Sequence, residues 1–165
     1  MTGPVSIDIV FDPETEAIVR AEWNALEAHG LSSLAAYKDA SNRPHISIIE
    51  GIADDAANRL HNLPALLPLT VTLGPPLLFG SGPRRVLARS VVPTAGLLQL
   101  RATVLRLLDT ADDGTWLPHV TLARRLQVPS IGAALELIGA DITGSATAMR
   151  QWNSDTRTLT EPGVG

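Results

Sequence analysis

Apolar residues alternate through Val5, Ile7 and Ile9, the period of two that a half-buried strand requires, so a strand is predicted over Val5 to Phe11. Asp12-Pro13 then supplies an N-cap and a first-turn proline for a helix running to about Ala28 and ending at His29-Gly30. Its apolar stripe reads as Ala17, Ile18, Ala21, Ala25 and Ala28. The polar stretch Lys38 to Arg43 is a loop leading to a second strand through Ile46 and Ile48. Asp54 to Asn62 suits a short helix that starts on an acidic cap and ends before Pro64.

Leu69 to Leu73 alternates again, Leu77 to Phe79 continues after a Pro-Pro break, and Val86 to Val92 returns across a turn rich in Ser, Gly and Pro. These read as an antiparallel pair. Thr94 caps a second long helix to about Leu108, with Leu97, Leu98, Thr103, Val104, Leu105 and Leu108 on its apolar face, and Asp112-Asp113-Gly114 closes that segment. A strand over Leu117 to Ala123, a short helix over Ser130 to Ile138, a strand over Ile142 to Trp152 and an edge strand over Thr156 to Thr160 complete the chain. Strand, helix and strand thus recur in both halves as a repeat of element order without residue identity. An α+β architecture of antiparallel sheet with outer helices follows, built as one domain over residues 1–165.

Composition narrows what such a domain can bind. The chain is 45% hydrophobic and 18% charged, enough for one well-buried core. A formal net charge of -4 argues against an extended surface for long nucleic acid, which needs many cationic phosphate contacts. A small phosphorylated ligand fits better, because the basic residues are almost all arginine, whose planar fork matches phosphate oxygens, and Lys38 is the sole lysine. The absence of cysteine excludes disulfides, thiolate catalysis and cysteine-ligated metals. Met1-Thr2-Gly3-Pro4 lacks a basic segment followed by an apolar run, so no leader or membrane span is expected, and a cytoplasmic monomer is the default.

Candidate chemistry lies in a phrase that occurs twice, Pro44-His45-Ile46-Ser47-Ile48 and Pro118-His119-Val120-Thr121-Leu122. Strand alternation turns Ile46, Ile48, Val120 and Leu122 into a core, and points His45 with Ser47 and His119 with Thr121 toward a cleft. Two imidazoles that titrate near neutrality can share acid and base duties, while the hydroxyls donate to non-bridging phosphate oxygens. A two-histidine metal site is the weaker reading, since no third ligand sits at a recognisable spacing, and neither metal nor cofactor is expected. His29 and His61 fall at predicted helix ends and read as capping or surface groups.

The twin phrases resemble the paired His-x-Thr/Ser signatures of the 2H phosphoesterase superfamily, especially its bacterial branch of 2′-5′ RNA ligase-like or RNA 2′,3′-cyclic phosphodiesterase proteins. Leu77-Leu78-Phe79-Gly80 before a Pro-Arg turn, the strand to Val92, the Leu-rich helix and Trp116 to Arg124 also resemble that branch in order and spacing. The resemblance implies two pseudo-symmetric antiparallel-sheet lobes with outer helices around a central cleft, each lobe supplying one motif, and phosphodiester chemistry without metal. Under it, His45 and His119 are the catalytic pair, and Ser47, Thr121 and Arg124 bind phosphate. Alternation sets Arg124 opposite to His119, so it reaches the cleft only where the strand bends; Arg125 reads as a solvated surface residue. Tyr37 and Trp116 are candidate stacking platforms for a base. Ser47 stands where threonine is more usual in that branch, and the hydroxyl is kept.

The leading functional expectation is a metal-independent hydrolase that opens 2′,3′-cyclic phosphates on an RNA terminus or a nucleotide. Joining RNA ends through a 2′-5′ linkage uses the same acid-base pair in reverse, but needs two polynucleotide ends held against an acidic protein. A non-catalytic nucleotide-binding module is the remaining alternative.

Overall fold

In the computed structural model, which describes residues 3–162, seven strands form one antiparallel sheet in the order β2-β1-β6-β3-β4-β5, with β7 paired to β6. Met1 and Thr2, included in the reading of the chain's start, lie outside the described residues. The strands are β1 (Val5–Phe11), β2 (His45–Ile52), β3 (Leu69–Phe79), β4 (Arg84–Val91), β5 (His119–Gln127), β6 (Ile142–Asn153) and β7 (Thr158–Thr160). Among the described residues, four α-helices, α1 (Pro13–Ala28), α2 (Ala56–Arg59), α3 (Ala95–Leu107) and α4 (Ile131–Leu135), lie in the connections. No helix among the described residues is long and apolar enough to cross a membrane.

The sheet joins two lobes through β6. Its Ile142–Ala146 half pairs with β3 and its Ala146–Asn153 half pairs with β1, so one long strand belongs to both. β2 and β5 close the two ends of the hydrogen-bonded order, yet they approach within 8 Å at Cα. The sheet therefore curls until its two end strands face each other, and those are the strands that carry the repeated phrase.

Each long helix supports the motif strand of the other half. Trp23 of α1 donates its indole N–H to the Thr121 carbonyl of β5 at 3.1 Å, and Arg101 of α3 donates from Nε to the Ile48 carbonyl of β2 at 3.2 Å. Ile46, Ile48, Val120 and Leu122 are fully buried beneath them, as the alternation requires. Gly144 lets α1 approach β6, since a Cβ there would collide with the Thr15 side chain.

Several elements differ from their expected form. The buried stripe of α1 is Thr15, Val19, Glu22, Trp23 and Leu26, while Ala17, Ile18, Ala21 and Ala28 face solvent and Ala25 is half-buried. Val19, Trp23 and Leu26 bury more apolar surface than a row of alanines, and Glu22 belongs inside because it pairs with the fully buried Arg89 of β4. Nε of Arg89 meets Glu22 Oε2 at 2.9 Å, and its terminal nitrogens donate to the Gly74 and Gly139 carbonyls at 3.0 Å each. On α3, Leu97, Val104, Leu105 and Leu108 are buried as expected, but Leu100 and Arg101 also point inward while Leu98 faces outward.

The Pro-Pro break does not end β3. The strand exchanges neighbours there, pairing with β6 up to Leu73 and with β4 from Leu73 onward, so the missing N–H groups fall in the changeover. The Asp54 to Asn62 segment divides into α2 and a 3₁₀ turn, and Asp55 caps it without a side-chain hydrogen bond. Helix α4 is shorter than expected, following a 3₁₀ turn at Val128–Ser130. The second motif strand starts at His119 rather than Leu117 and extends to Gln127.

Candidate active site

The histidine of each motif is held in the same way. Nδ1 of His45 lies 2.7 Å from the Arg43 carbonyl, and Nδ1 of His119 lies 2.8 Å from the Leu117 carbonyl, the residue two positions earlier in both cases. A carbonyl can only accept, so each Nδ1 carries a proton and donates it, which leaves Nε2 as the free nitrogen of each ring. Arg150 approaches His45 Nδ1 to 3.3 Å. With that proton already committed to Arg43, this is a contact along the ring edge and not a second hydrogen bond.

His45, Ser47, His119, Thr121 and Arg124 line one cavity of about 300 Å³, together with Val86 and Glu50. Arg124 gets there by a β-bulge. Thr121 pairs with Ala88 and Ala123 pairs with Leu87, so Leu122 is an extra residue, and Leu122 and Ala123 are both fully buried. Parity beyond the bulge is reversed, and Arg124 emerges on the cleft side with its guanidinium 5.8 Å from the centre of the Tyr37 ring. Arg125 is exposed.

Tyr37 and Trp116 occupy opposite flanks. Tyr37 is half exposed and borders a side cavity of about 250 Å³ with His45, Arg124, Arg150 and Trp152. Trp116 borders a larger one of about 490 Å³ with Phe79, Arg101 and His119. Its indole N–H is tied to the Ser47 carbonyl at 3.0 Å and the Arg101 guanidinium lies over its ring at 4.8 Å, so it also braces the gap between β5 and β2. Phe79 meets the His119 ring at a centroid distance of 4.8 Å.

Asp8 and Arg150, absent from the expected set, complete the first motif. Asp8 sits opposite Ser47 on one side and Arg150 on the other, forming a row across β2, β1 and β6. Ser47 Oγ donates to Asp8 Oδ1 at 3.1 Å, Arg150 Nε reaches Asp8 Oδ2 at 3.4 Å, and Arg150 also donates to the Ser41 carbonyl at 2.7 Å. Burial pulls the Arg150 guanidinium below its ordinary range, and the Asp8 charge opposes that pull. The available signal was Asp8 itself, an acidic residue between two buried isoleucines on the strand preceding the motif.

The two motifs are therefore unequal at their hydroxyls. Ser47 spends its proton on Asp8, whereas the Thr121 hydroxyl makes no hydrogen bond among the described residues. His29 caps α1, its Nδ1 on the Ala25 carbonyl at 2.8 Å, and His61 is exposed in the turn after α2, both away from the cleft. No group of three or more metal-ligating side chains is found among the described residues.

A family model described as the 2′-5′ RNA ligase superfamily matches residues 15–156. No curated protein matches the chain in sequence. Among solved structures, E. coli LigT in its apo form aligns with a TM-score of 0.59 at 14% identity, covering 97% of this chain and 94% of that one. E. coli LigT complexed with 3′-AMP gives 0.57 at 15% identity over 92% and 86%. Kluyveromyces marxianus Usb1 with uridine monophosphate gives 0.52 at 11% identity over 96% and 97%. These likenesses are of fold, and they take in a Kluyveromyces marxianus protein as well as the E. coli one.

Proposed function

The chain belongs to the 2′-5′ RNA ligase superfamily of 2H phosphoesterases, and from that premise we propose that it hydrolyses 2′,3′-cyclic phosphates on nucleotides or RNA ends without a metal. The observation that carries this reading is the shared cavity lined by two histidines whose Nδ1 protons are both committed to backbone carbonyls. Each ring then has one free nitrogen for proton transfer, and a two-sided displacement at phosphorus needs two such groups.

In this scheme the neutral Nε2 of one histidine takes a proton from water as the water oxygen bonds to phosphorus. The bond from phosphorus to the 3′ oxygen breaks, and the other histidine, protonated at Nε2, gives its proton to that oxygen. The product is a 2′-phosphomonoester with a free 3′ hydroxyl. Charge gathering on the non-bridging oxygens is met by Arg124 and by Thr121, whose hydroxyl is free to donate. Ser47 serves there only by turning its proton from Asp8 to the phosphate. Tyr37 and Trp116, on either flank, offer faces for a base, and nucleotide-bearing structural neighbours support a ligand of that size.

The test is incubation of the purified protein with adenosine 2′,3′-cyclic phosphate in excess chelator, followed by chromatographic separation of 2′-AMP from 3′-AMP. Accumulation of 2′-AMP with a bell-shaped pH dependence is expected. No turnover, or turnover that chelator abolishes and only a divalent ion restores, overturns the proposal.

A further inference from the structure

Glu50 borders the central cavity and both side cavities. Strict alternation from His45 and Ser47 would turn it to the other face. A second bulge brings it in, because Asp8 pairs with Ser47 while Ile7 pairs with Ile49, leaving Ile48 as the extra residue, and Glu50 then pairs with Ser6 on the cleft side. Its carboxylate is exposed and makes no hydrogen bond or ion pair among the described residues.

That isolation has a structural origin. Of the three arginines in the cleft, two pair with other carboxylates, Arg101 with Asp112 at 2.9 Å and Arg150 with Asp8, while Arg124 lies over Tyr37 and is left for the phosphate. An unneutralised carboxylate beside a phosphate cavity weakens anion binding, so it makes sense as a discriminating element, in which a like charge is set against the wrong ligand. Its position fixes what is rejected. Whichever side cavity takes the remainder of a ligand whose phosphate sits in the centre, Glu50 lines that cavity as well, so its charge acts on a second phosphate carried there.

We infer that Glu50 is a specificity-determining residue that selects against a second phosphate on the same nucleoside, and so favours the free cyclic nucleotide over the RNA end between the two substrates proposed above. This deepens the cyclic phosphodiesterase reading, and its test is a binding measurement that does not depend on turnover.

The experiment is calorimetric titration of the full chain and of Glu50→Gln with 2′-AMP and with adenosine 2′,5′-bisphosphate at low ionic strength. Both ligands are expected to tighten in the isosteric Gln variant, the bisphosphate by about fivefold more than the monophosphate, as expected for one partly solvated like charge removed. Glu50→Asp should keep the wild-type ratio, and about 1 M salt should shrink the difference between wild type and Glu50→Gln. A ratio unchanged within about twofold in Glu50→Gln at low salt overturns the inference, as does failure of both proteins to bind either ligand. A shifted ratio with no turnover of the cyclic phosphate would leave this inference standing and refute the proposed reaction instead.

Discussion

The indole N–H of Trp116, three residues before His119, donates to the backbone carbonyl of Ser47, two residues after His45, at 3.0 Å. This bond ties the segment that leads into β5 directly to β2, although β5 and β2 lie at opposite ends of the sheet order. Trp116→Phe keeps a ring against Arg101 but loses the donor. It is expected to cost about 1 kcal/mol in urea denaturation and to raise KM for the cyclic phosphate more than it lowers kcat. An unchanged midpoint and KM would show that the bond does not set the cleft width.

His45→Ala and His119→Ala are each expected to reduce kcat by about a hundredfold to ten-thousandfold, with the fold retained by circular dichroism. Each substitution should also remove one limb of the bell in the pH profile, opposite limbs for the two variants. The same limb lost in both would contradict a division of acid and base roles.

The inequality of the hydroxyls predicts a ranking. Thr121→Val, which keeps the shape and removes the free donor, should lower kcat by about tenfold to a hundredfold. Ser47→Ala should cost less, because the Ser47 proton is already given to Asp8. Steady-state kinetics showing the reverse order would return Ser47 to the role of principal phosphate donor.

Asp8 and Arg150 are both buried, with side-chain exposures of 2% and 9%. Asp8→Asn strands the guanidinium and is expected to destabilise the protein by about 3 kcal/mol, while the double variant Asp8→Asn with Arg150→Met should recover part of that loss. A double-mutant cycle on urea denaturation measures the coupling, and additive losses would mean that the pair is not coupled.

Burial of Glu16 tends to raise its carboxyl, but hydrogen bonds from Arg43 and Arg20 outweigh it and hold the group below its ordinary value of 4.5. Arg43 Nη2 meets Glu16 at 2.7 Å, and the Arg43 carbonyl holds His45, so this contact anchors the entry to the first motif. A depressed carboxylate stabilises the fold above its unfolded value, and that contribution disappears as pH falls through and below 4.5. Wild type should therefore lose stability in this window more steeply than Glu16→Gln. Parallel curves for the two proteins would place the acid sensitivity elsewhere.

The linear chain determines the order of strands and helices, the caps at Asp12 and Thr94, and the inward turn of Ile46, Ile48, Val120 and Leu122, because all of these follow from periodicity and nearest-neighbour chemistry. It also marks His45 and His119 with their hydroxyls on one face. Tertiary structure decides what depends on partners distant in sequence. Glu22 goes inside only because Arg89 awaits it across 67 residues, and the α1 stripe rotates to suit. Two bulges, each set by the register of a neighbouring strand, bring Arg124 and Glu50 to a cleft that alternation alone denies them. Asp8 and Arg150 become partners because β1 and β6 are neighbours, a pairing that no local pattern encodes. Periodicity fixes which way a side chain points from its own strand, but only the curled sheet decides which other side chains it meets.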